Sequence, residues 1–290
     1  MFINLKSDSV KIQCRLLMLA AGLSLLSCAP PATIYVVAPG QPILTDMAGS
    51  LSEYLGETYS GVHFETAAEM VAGESNIILE ISDGPGFENA EAFEVTGNGN
   101  SLYIRGNSPR ALINGSYGLL KHLGWRFYLS FQVPPVKMKT PDVDNIRISN
   151  SPLKERRIIF NWHNVLSGCT GWDLSQWQEW IGNSSAIGYN TIMVHAYGNN
   201  PMHMFSFNGR EKEPGYLTTT LKGRDWGAQH VNDVRRLPGA EFLPDYEMGS
   251  AAARVPVEER GKAATELMQQ VFRHASLKGK IGRASCRERV

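Results

Sequence analysis

The sequence predicts an α/β protein in two units, a small α/β sandwich over residues 33–150 and a parallel sheet with helices over residues 151–280. Short apolar runs rich in β-branched residues alternate with segments whose apolar residues recur every four positions, which is typical of strands alternating with amphipathic helices. In the second unit a strand, a helix and a strand follow one another within about forty residues. That order makes a βαβ unit, and a βαβ unit requires a parallel sheet.

The first unit is predicted to run strand, helix, strand, hairpin, helix and strand. Strands are expected at 33–38, 76–81, 92–96, 101–105 and 125–128, and the first helix at 43–56, with an apolar stripe of Ile43, Met47, Leu51 and Leu55. The segment Gly97-Asn98-Gly99-Asn100 between two of the strands is a strong hairpin signal. Ser108 before Pro109 predicts the start of the second helix, and Gly124 predicts its end.

The second unit is predicted to begin with a buried strand at 156–161. Asp173 and Gln176 form a capping box that opens a helix through about residue 187. A second strand is expected at 189–195, and a further helix from Val257, with Ala263, Leu267, Val271 and Ala275 on its apolar face. The segment 198–254 is rich in Gly, Asn and Pro, and loops this long in an ordered domain are usually functional.

The amino terminus is predicted to be a lipoprotein signal peptide, residues 1–27, followed by a tether at 28–32. Three basic residues precede an apolar run from Leu16 to Leu26, which is of secretory-signal length and too short to span a bilayer comfortably. The run ends Leu25-Leu26-Ser27-Cys28, which resembles a bacterial lipobox, where the cysteine is lipidated. An incidental Cys28 behind a plain signal peptide is the alternative. The first interpretation predicts a bacterial cell-envelope protein anchored by lipid at Cys28, on the outer membrane or the periplasmic face.

The last ten residues, 281–290, are predicted to be a non-native tail. They back-translate in one frame to a common short-read sequencing adapter, so we expect the natural chain to differ from them and to continue past Lys280.

Charge and cysteine content narrow the function classes. The two ends hold six of the 28 basic and two of the 28 acidic residues, so the remaining body has 22 basic and 26 acidic residues, a net charge of −4. Such a body lacks the basic excess that a nucleic-acid partner requires. Cys169 is the one thiol left in the body, which leaves no intramolecular disulfide and no cysteine-based zinc site.

Two predicted strand ends of the second unit carry unusually polar and aromatic residues. Ligands of parallel α/β folds bind at the carboxyl ends of strands, and clustered amides and imidazoles suit a polyhydroxylated ligand. The candidate substrate-binding residues are Asn161, Trp162, His163, Asn164, His195, Tyr197, Asn199 and Asn200, with Asp225 and Trp226 from the long loop. Each of them can equally be a loop cap or a satisfied core group.

The sequence contains few signals for sugar stacking by tryptophan, for a metal or cofactor, or for a catalytic pair of carboxylates. Five of the six tryptophans lie within residues 162–226, but Trp177 and Trp180 share a helix face with Ile181 and are expected to face the core. No metal motif, Gly-x-Ser-x-Gly turn or phosphate-binding glycine loop is present, so no metal and no cofactor are predicted. The acidic residues include Asp173, which serves most simply as a helix cap, and no catalytic pair is identified.

A resemblance to several glycoside hydrolases follows from these segments. Residues Ile104 to Tyr128 resemble the end of the accessory domain that precedes the barrel in alpha-glucuronidases, beta-hexosaminidases and alpha-N-acetylglucosaminidases. The segments Trp172 to Trp177 and Gly188 to Asn190 are similar to the first barrel repeat of that group.

The resemblance implies a truncated (β/α)8 TIM-type barrel over residues 151–280 and a carbohydrate substrate, with uronic acid or N-acetylhexosamine linkages among the options. A complete barrel takes roughly 250 residues. The catalytic carboxylates of these families come from later strands, so they are expected beyond residue 280 and this fragment is expected to be inactive. The alternative is a surface lipoprotein that binds glycans without cleaving them.

Overall fold

A computed structural model of the chain describes residues 32–82, 87–139, 141, 143–160, 169, 172–197, 204–212 and 255–287. The α/β class is confirmed. The strands are β1 (Ala32–Val37), β2 (Val62–Ala67), β3 (Ser75–Ile81), β4 (Phe93–Asn98), β5 (Ser101–Gly106), β6 (Arg126–Phe127), β7 (Gln132–Val133), β8 (Arg147–Asn150), β9 (Ile158–Phe160), β10 (Thr191–Tyr197), β11 (Phe205–Phe207), β12 (Arg210–Lys212) and β13 (Ile281–Arg287). The helices are α1 (Pro42–Thr58), α2 (Pro109–His122), α3 (Leu174–Ala186) and α4 (Arg260–Leu277), the last preceded by a 3-10 turn, Val257–Glu259.

The first unit is a two-layer sandwich around a six-stranded sheet of order β2-β1-β3-β5-β4-β8. β1, β2, β3 and β5 run parallel, while β4 pairs antiparallel with both β5 and β8. Alternate strand residues such as Val36, Leu79 and Ile104 point into one core, where α1 and α2 cover them. Period-two burial on the strands and a helical stripe on each helix explain this packing.

Local signals set the element ends as the sequence predicts. The Ser108 side chain accepts a hydrogen bond from the backbone N–H of Ala111 at 3.1 Å and caps α2. Gly124 has φ +103°, a left-handed conformation that ends the helix. The backbone N–H of Asp173 donates to Oε1 of Gln176 at 2.8 Å, as in a capping box, at the start of α3.

Several predicted boundaries were wrong. β2 and β8 were not predicted, and the strand expected at 125–128 is only the two-residue β6, which pairs with β7 outside the main sheet. β10 begins and ends two residues later than predicted, so His195 lies inside the strand instead of at its end. On α4 the buried face is Ala264, Met268, Val271 and Ala275, one position away from the predicted stripe at its first two residues.

The second unit has a parallel three-stranded sheet of order β13-β10-β9 with its own apolar core. The chain passes through α3 between β9 and β10 and through α4 between β10 and β13. Both helices pack on the sheet through Trp177, Ile181 and Val271, each of which is at most 1% exposed. Within this sheet β10 lies between β9 and β13, so the order along the chain is also the order in space, as expected of the first strands of a (β/α)8 barrel. The hairpin β11–β12, which comes between β10 and β13 in the chain, forms a separate two-stranded sheet. In the described part of the chain, every helix is too short or too polar to cross a membrane.

Candidate functional site

The candidate site lies at the carboxyl edge of the three-stranded parallel sheet. Thr191 of β10 pairs with Ile158 of β9 and with Ile281 of β13, so the three strands begin level with one another. Since all three run the same way, their carboxyl ends share one edge of the sheet. In the sequence, four of the predicted site residues directly follow β9, two lie at the end of β10, and the other four come later in the chain.

Of the ten candidate residues, the described backbone includes His195 and Tyr197. They are the first and the last of the final three positions of β10, beyond the point where Met193 pairs with Phe160 at the end of β9. The strand therefore brings these two positions to the carboxyl edge. Residues 161–164, 199–200 and 225–226 lie outside the described residues. A substrate-binding role therefore stays a prediction for the eight candidates there: Asn161, Trp162, His163, Asn164, Asn199, Asn200, Asp225 and Trp226.

The third strand at this edge falls on the segment expected to be non-native. Ser285 pairs with His195 and Arg287 pairs with Tyr197 in the parallel register of β13 and β10. The backbone position is what a third barrel strand would occupy after α4. Because the sequence indicates that residues 281–290 are not the natural ones, we assign their side chains no role in the site.

The single thiol of the second unit has no nucleophilic role. Cys169 is 2% exposed and belongs to the core between the sheet and its helices. Burial raises the pKa of the Cys169 thiol to about 12, so it is a neutral thiol at physiological pH. A buried neutral thiol is a poor nucleophile, so Cys169 fits a structural place in the core.

The described tryptophans of the second unit form a structural cluster. Trp172, Trp177 and Trp180 contact one another edge to face, with ring centroids 5.3 to 5.9 Å apart. Trp177 is 1% exposed, and Trp172 and Trp180 pack against the same core. The expectation that Trp177 faces the core is confirmed. Sugar stacking by a tryptophan would fall to Trp162 or Trp226, both outside the described residues.

A cavity of about 490 Å³ opens between the start of α3 and residues 263–270 of α4. In a βαβ unit the helix begins on the side where the preceding strand ends, so this cavity lies on the same side as the candidate edge. Asp173, Ser175, Glu266 and Gln270 supply its polar lining. The described residues contain no cluster of three or more His, Cys, Asp or Glu side chains suited to a metal ion.

The opposite edge of the sheet is covered by the first unit. Arg157 and Asn190, which directly precede β9 and β10, contact Glu91, and Lys278 at the end of α4 pairs with Asp46 of α1 at 2.7 Å. Among the residues that the structure describes, the contacts of the first unit with Arg157, Asn190 and Lys278 thus lie at the amino edge and not at the carboxyl edge. Sequence analysis missed this interface, since Glu91 lies 66 residues from Arg157 and no spacing rule connects them.

Neither a known family profile nor a curated protein sequence matches the chain. Solved structures similar to it include a GH138 enzyme targeting pectin rhamnogalacturonan II, at 14% identity and a TM-score of 0.48, covering 88% of this chain and 24% of that enzyme. The N-acetyl-beta-hexosaminidase of Streptomyces plicatus aligns at 12% identity and a TM-score of 0.49, over 86% of this chain and 40% of its own. The beta-N-acetylhexosaminidase of Bacteroides fragilis aligns at 14% identity and a TM-score of 0.42, over 87% of this chain and 40% of its own. The chain thus spans less than half the length of each of these proteins.

Proposed function

We propose that this chain is the amino-terminal part of an exported glycoside hydrolase that acts on a poly- or oligosaccharide. The observation that carries the proposal is the second unit: a parallel sheet whose strands follow in sequence order, with His195 and Tyr197 in the last three positions of its middle strand. In a (β/α)8 barrel that edge is where substrates bind and react. In such an enzyme the visible residues bind the sugar, and carboxylates from later strands cleave the O-glycosidic bond.

The substrate class and the location belong to the same proposal. Amides and imidazoles at 161–164 and 195–200 offer the directional hydrogen bonds that sugar hydroxyls need, and uronic acid or N-acetylhexosamine linkages are the first to test. Lipid attachment at Cys28 would hold the enzyme on the cell envelope. Release of the Cys28→Ser variant from the membrane fraction tests that anchor, and an unchanged distribution would contradict it.

The decisive experiment uses the gene continued past Lys280. We expect two carboxylates at the ends of later strands and release of reducing sugar from uronic acid or N-acetylhexosamine glycosides. In that protein His195→Ala should lower kcat/KM by roughly 10- to 100-fold, the value of one lost polar contact to substrate. His122→Ala is the matched control, because His122 is exposed on α2 in the first unit.

Three outcomes separate a glycoside hydrolase from a lipoprotein that binds glycans without cleaving them. Turnover that His195→Ala weakens and His122→Ala leaves intact supports the enzyme. Saturable calorimetric heat with a glycan but no new reducing ends would establish the binding lipoprotein instead. A continued gene without carboxylates at later strand ends would refute hydrolysis by this protein.

A further inference from the structure

Glu91 collects hydrogen bonds from both units of the chain. Its Oε1 accepts from Nδ2 of Asn190 at 2.6 Å, and its Oε2 accepts from Nδ2 of Asn114 at 3.1 Å and from Nη2 of Arg157. Nε of Arg110 lies 3.6 Å from the same Oε2. Two of these partners belong to the first unit and two to the second, so one carboxylate joins the two.

The partners from the second unit are the residues that align its first two strands. Arg157 directly precedes β9 and Asn190 directly precedes β10. Oδ1 of Asn190 accepts from the backbone N–H of Arg157 at 2.9 Å, and the backbone N–H of Asn190 donates to the carbonyl of Arg157 at 3.0 Å. Glu91 therefore binds the point at which the register of β9 against β10 is set.

The charge balance makes this carboxylate hard to replace. Arg110 is 8% exposed, and the Arg157 side chain is 20% exposed. Among the described residues Glu91 is the carboxylate that forms ion pairs with Arg110 and Arg157. Burial would raise the pKa of Glu91, but the hydrogen bonds from Arg157 and Asn190 and the charge of Arg110 outweigh burial and lower that pKa. The carboxylate is ionised, and its removal would leave buried cations uncompensated.

A second set of contacts ties the end of α4 to the first unit. The carbonyl of Lys278 accepts from Nη1 of Arg110 at 3.1 Å and from Oγ of Ser185 at 3.0 Å. Nζ of Lys278 donates to Oδ2 of Asp46 at 2.7 Å. The amino edge of the sheet is thus held at the start of β9, at the start of β10 and before the third strand position.

We propose that Glu91 is an interdomain clamp: through Arg157 and Asn190 it fixes the starts of β9 and β10, and the second unit keeps its fold only while docked on the first. Tryptophan-rich packing stabilises the second unit from within, but its three-stranded sheet is small and its amino edge is polar. The clamp acts whether or not the protein cleaves glycosides, so its test is independent of the proposed function.

The test compares the Glu91→Gln and Glu94→Gln variants of the 290-residue chain. Glu94 is the matched control because it lies three residues away on β4, with a side chain 40% exposed and 3.8 Å from Arg105. Urea unfolding is followed by far-UV circular dichroism and by tryptophan fluorescence. Five of the six tryptophans lie after residue 150, so fluorescence reports mainly on the second unit.

We expect the wild type and Glu94→Gln to unfold with coincident probes. In Glu91→Gln the fluorescence midpoint should fall by on the order of 1 M urea and precede the loss of circular dichroism, because a buried ion network loses its anion. Hydrogen exchange should show lost protection in β9 and β10 with β1 and β3 still protected.

Two results would overturn the clamp. One is a Glu91→Gln variant whose midpoints and exchange match those of Glu94→Gln. The other is a variant in which β1 and β3 lose protection together with β9 and β10, since Glu91 would then stabilise the first unit itself.

Discussion

At the scale of single residues, Lys280 is a buried amine whose charged form is destabilised by its surroundings. It is 6% exposed, and its Nζ donates to the carbonyl of Tyr189 at 2.7 Å. Burial, together with the charges of Arg110 and Arg157, lowers the pKa of Lys280 to about 6, although Glu91 opposes the shift. The amine is therefore mostly neutral above that pH in the folded protein and charged in the unfolded chain.

The pH dependence of stability follows from this difference. Between about pH 6 and 10.5 the unfolded state binds the extra proton at Lys280, so the free energy of unfolding should rise with pH across that window. The slope is at most about 1.4 kcal/mol per pH unit for one such group. Urea midpoints at pH 6.5 and 8.5 measure it.

Lys280→Met should flatten this dependence, and Lys137→Met, at an exposed position, should preserve it. Two results would show that Lys280 is charged in the folded protein. One is a wild-type urea midpoint that is lower at pH 8.5 than at pH 6.5, and the other is a Lys280→Met variant whose urea midpoint depends on pH as that of the wild type does.

Sequence patterns predicted the residues that begin and end helices, but they did not predict the ion pairs and hydrogen bonds between residues far apart in the chain. Ser108, Gln176 and Gly124 act within four residues of their own helix ends, so their roles follow from the sequence alone. The partners of Glu91 are 19 to 99 residues away, and its contacts with Arg157 and Asn190 exist only because the two units pack. Burial and pairing of charges depend on tertiary packing, which spacing does not encode.

At the scale of elements, α2 sits unusually close to the sheet because two of its residues are glycines. A Cβ at Gly118 would lie 2.7 Å from Cζ of Phe93, and one at Gly115 would lie 2.6 Å from Cγ2 of Ile104. Both distances are shorter than any normal carbon contact, so a methyl group at either position must displace its neighbour.

Gly118→Ala is therefore expected to lower the free energy of unfolding by about 1–2 kcal/mol, since overpacking outweighs the gain in helix propensity. Gly49→Ala on α1 is the control, because nothing lies within 4 Å of a Cβ there. That substitution should raise stability by up to about 1 kcal/mol. Urea unfolding of both variants measures the contrast, and equal effects of the same sign would contradict the close approach of α2 to the sheet.

Two of the strands that sequence analysis missed, β2 and β8, are the edges of the main sheet. Phe64 is the one fully buried residue of β2, and β8 has none, with Ile148 partly buried. Edge strands contact one neighbour and expose most of their side chains, so they lack the apolar run or the clean alternation that identifies a strand. The central strands β1, β3 and β5 carry that signal and were predicted within one or two residues.

At the scale of the whole molecule, the two units differ in how completely their sheets are covered. The first has a closed core between one sheet face and two helices. In the second, β9 pairs with β10 on one side, and the described residues provide no strand for its other side. Ile158 on this strand is 41% exposed. An apolar side chain exposed on a strand at the edge of a sheet favours association with another chain.

The 290-residue chain should therefore self-associate through β9. Ile158→Lys places a charge on this edge and should increase the monomer fraction several-fold at a given concentration, because an edge lysine opposes strand pairing. Val136→Lys is the control: it adds the same charge at a position 91% exposed and away from this edge. Size-exclusion chromatography with light scattering gives the monomer fraction of each variant. If Val136→Lys raises it as much as Ile158→Lys, added net charge and not the β9 edge governs solubility, and the edge is not where the chains meet.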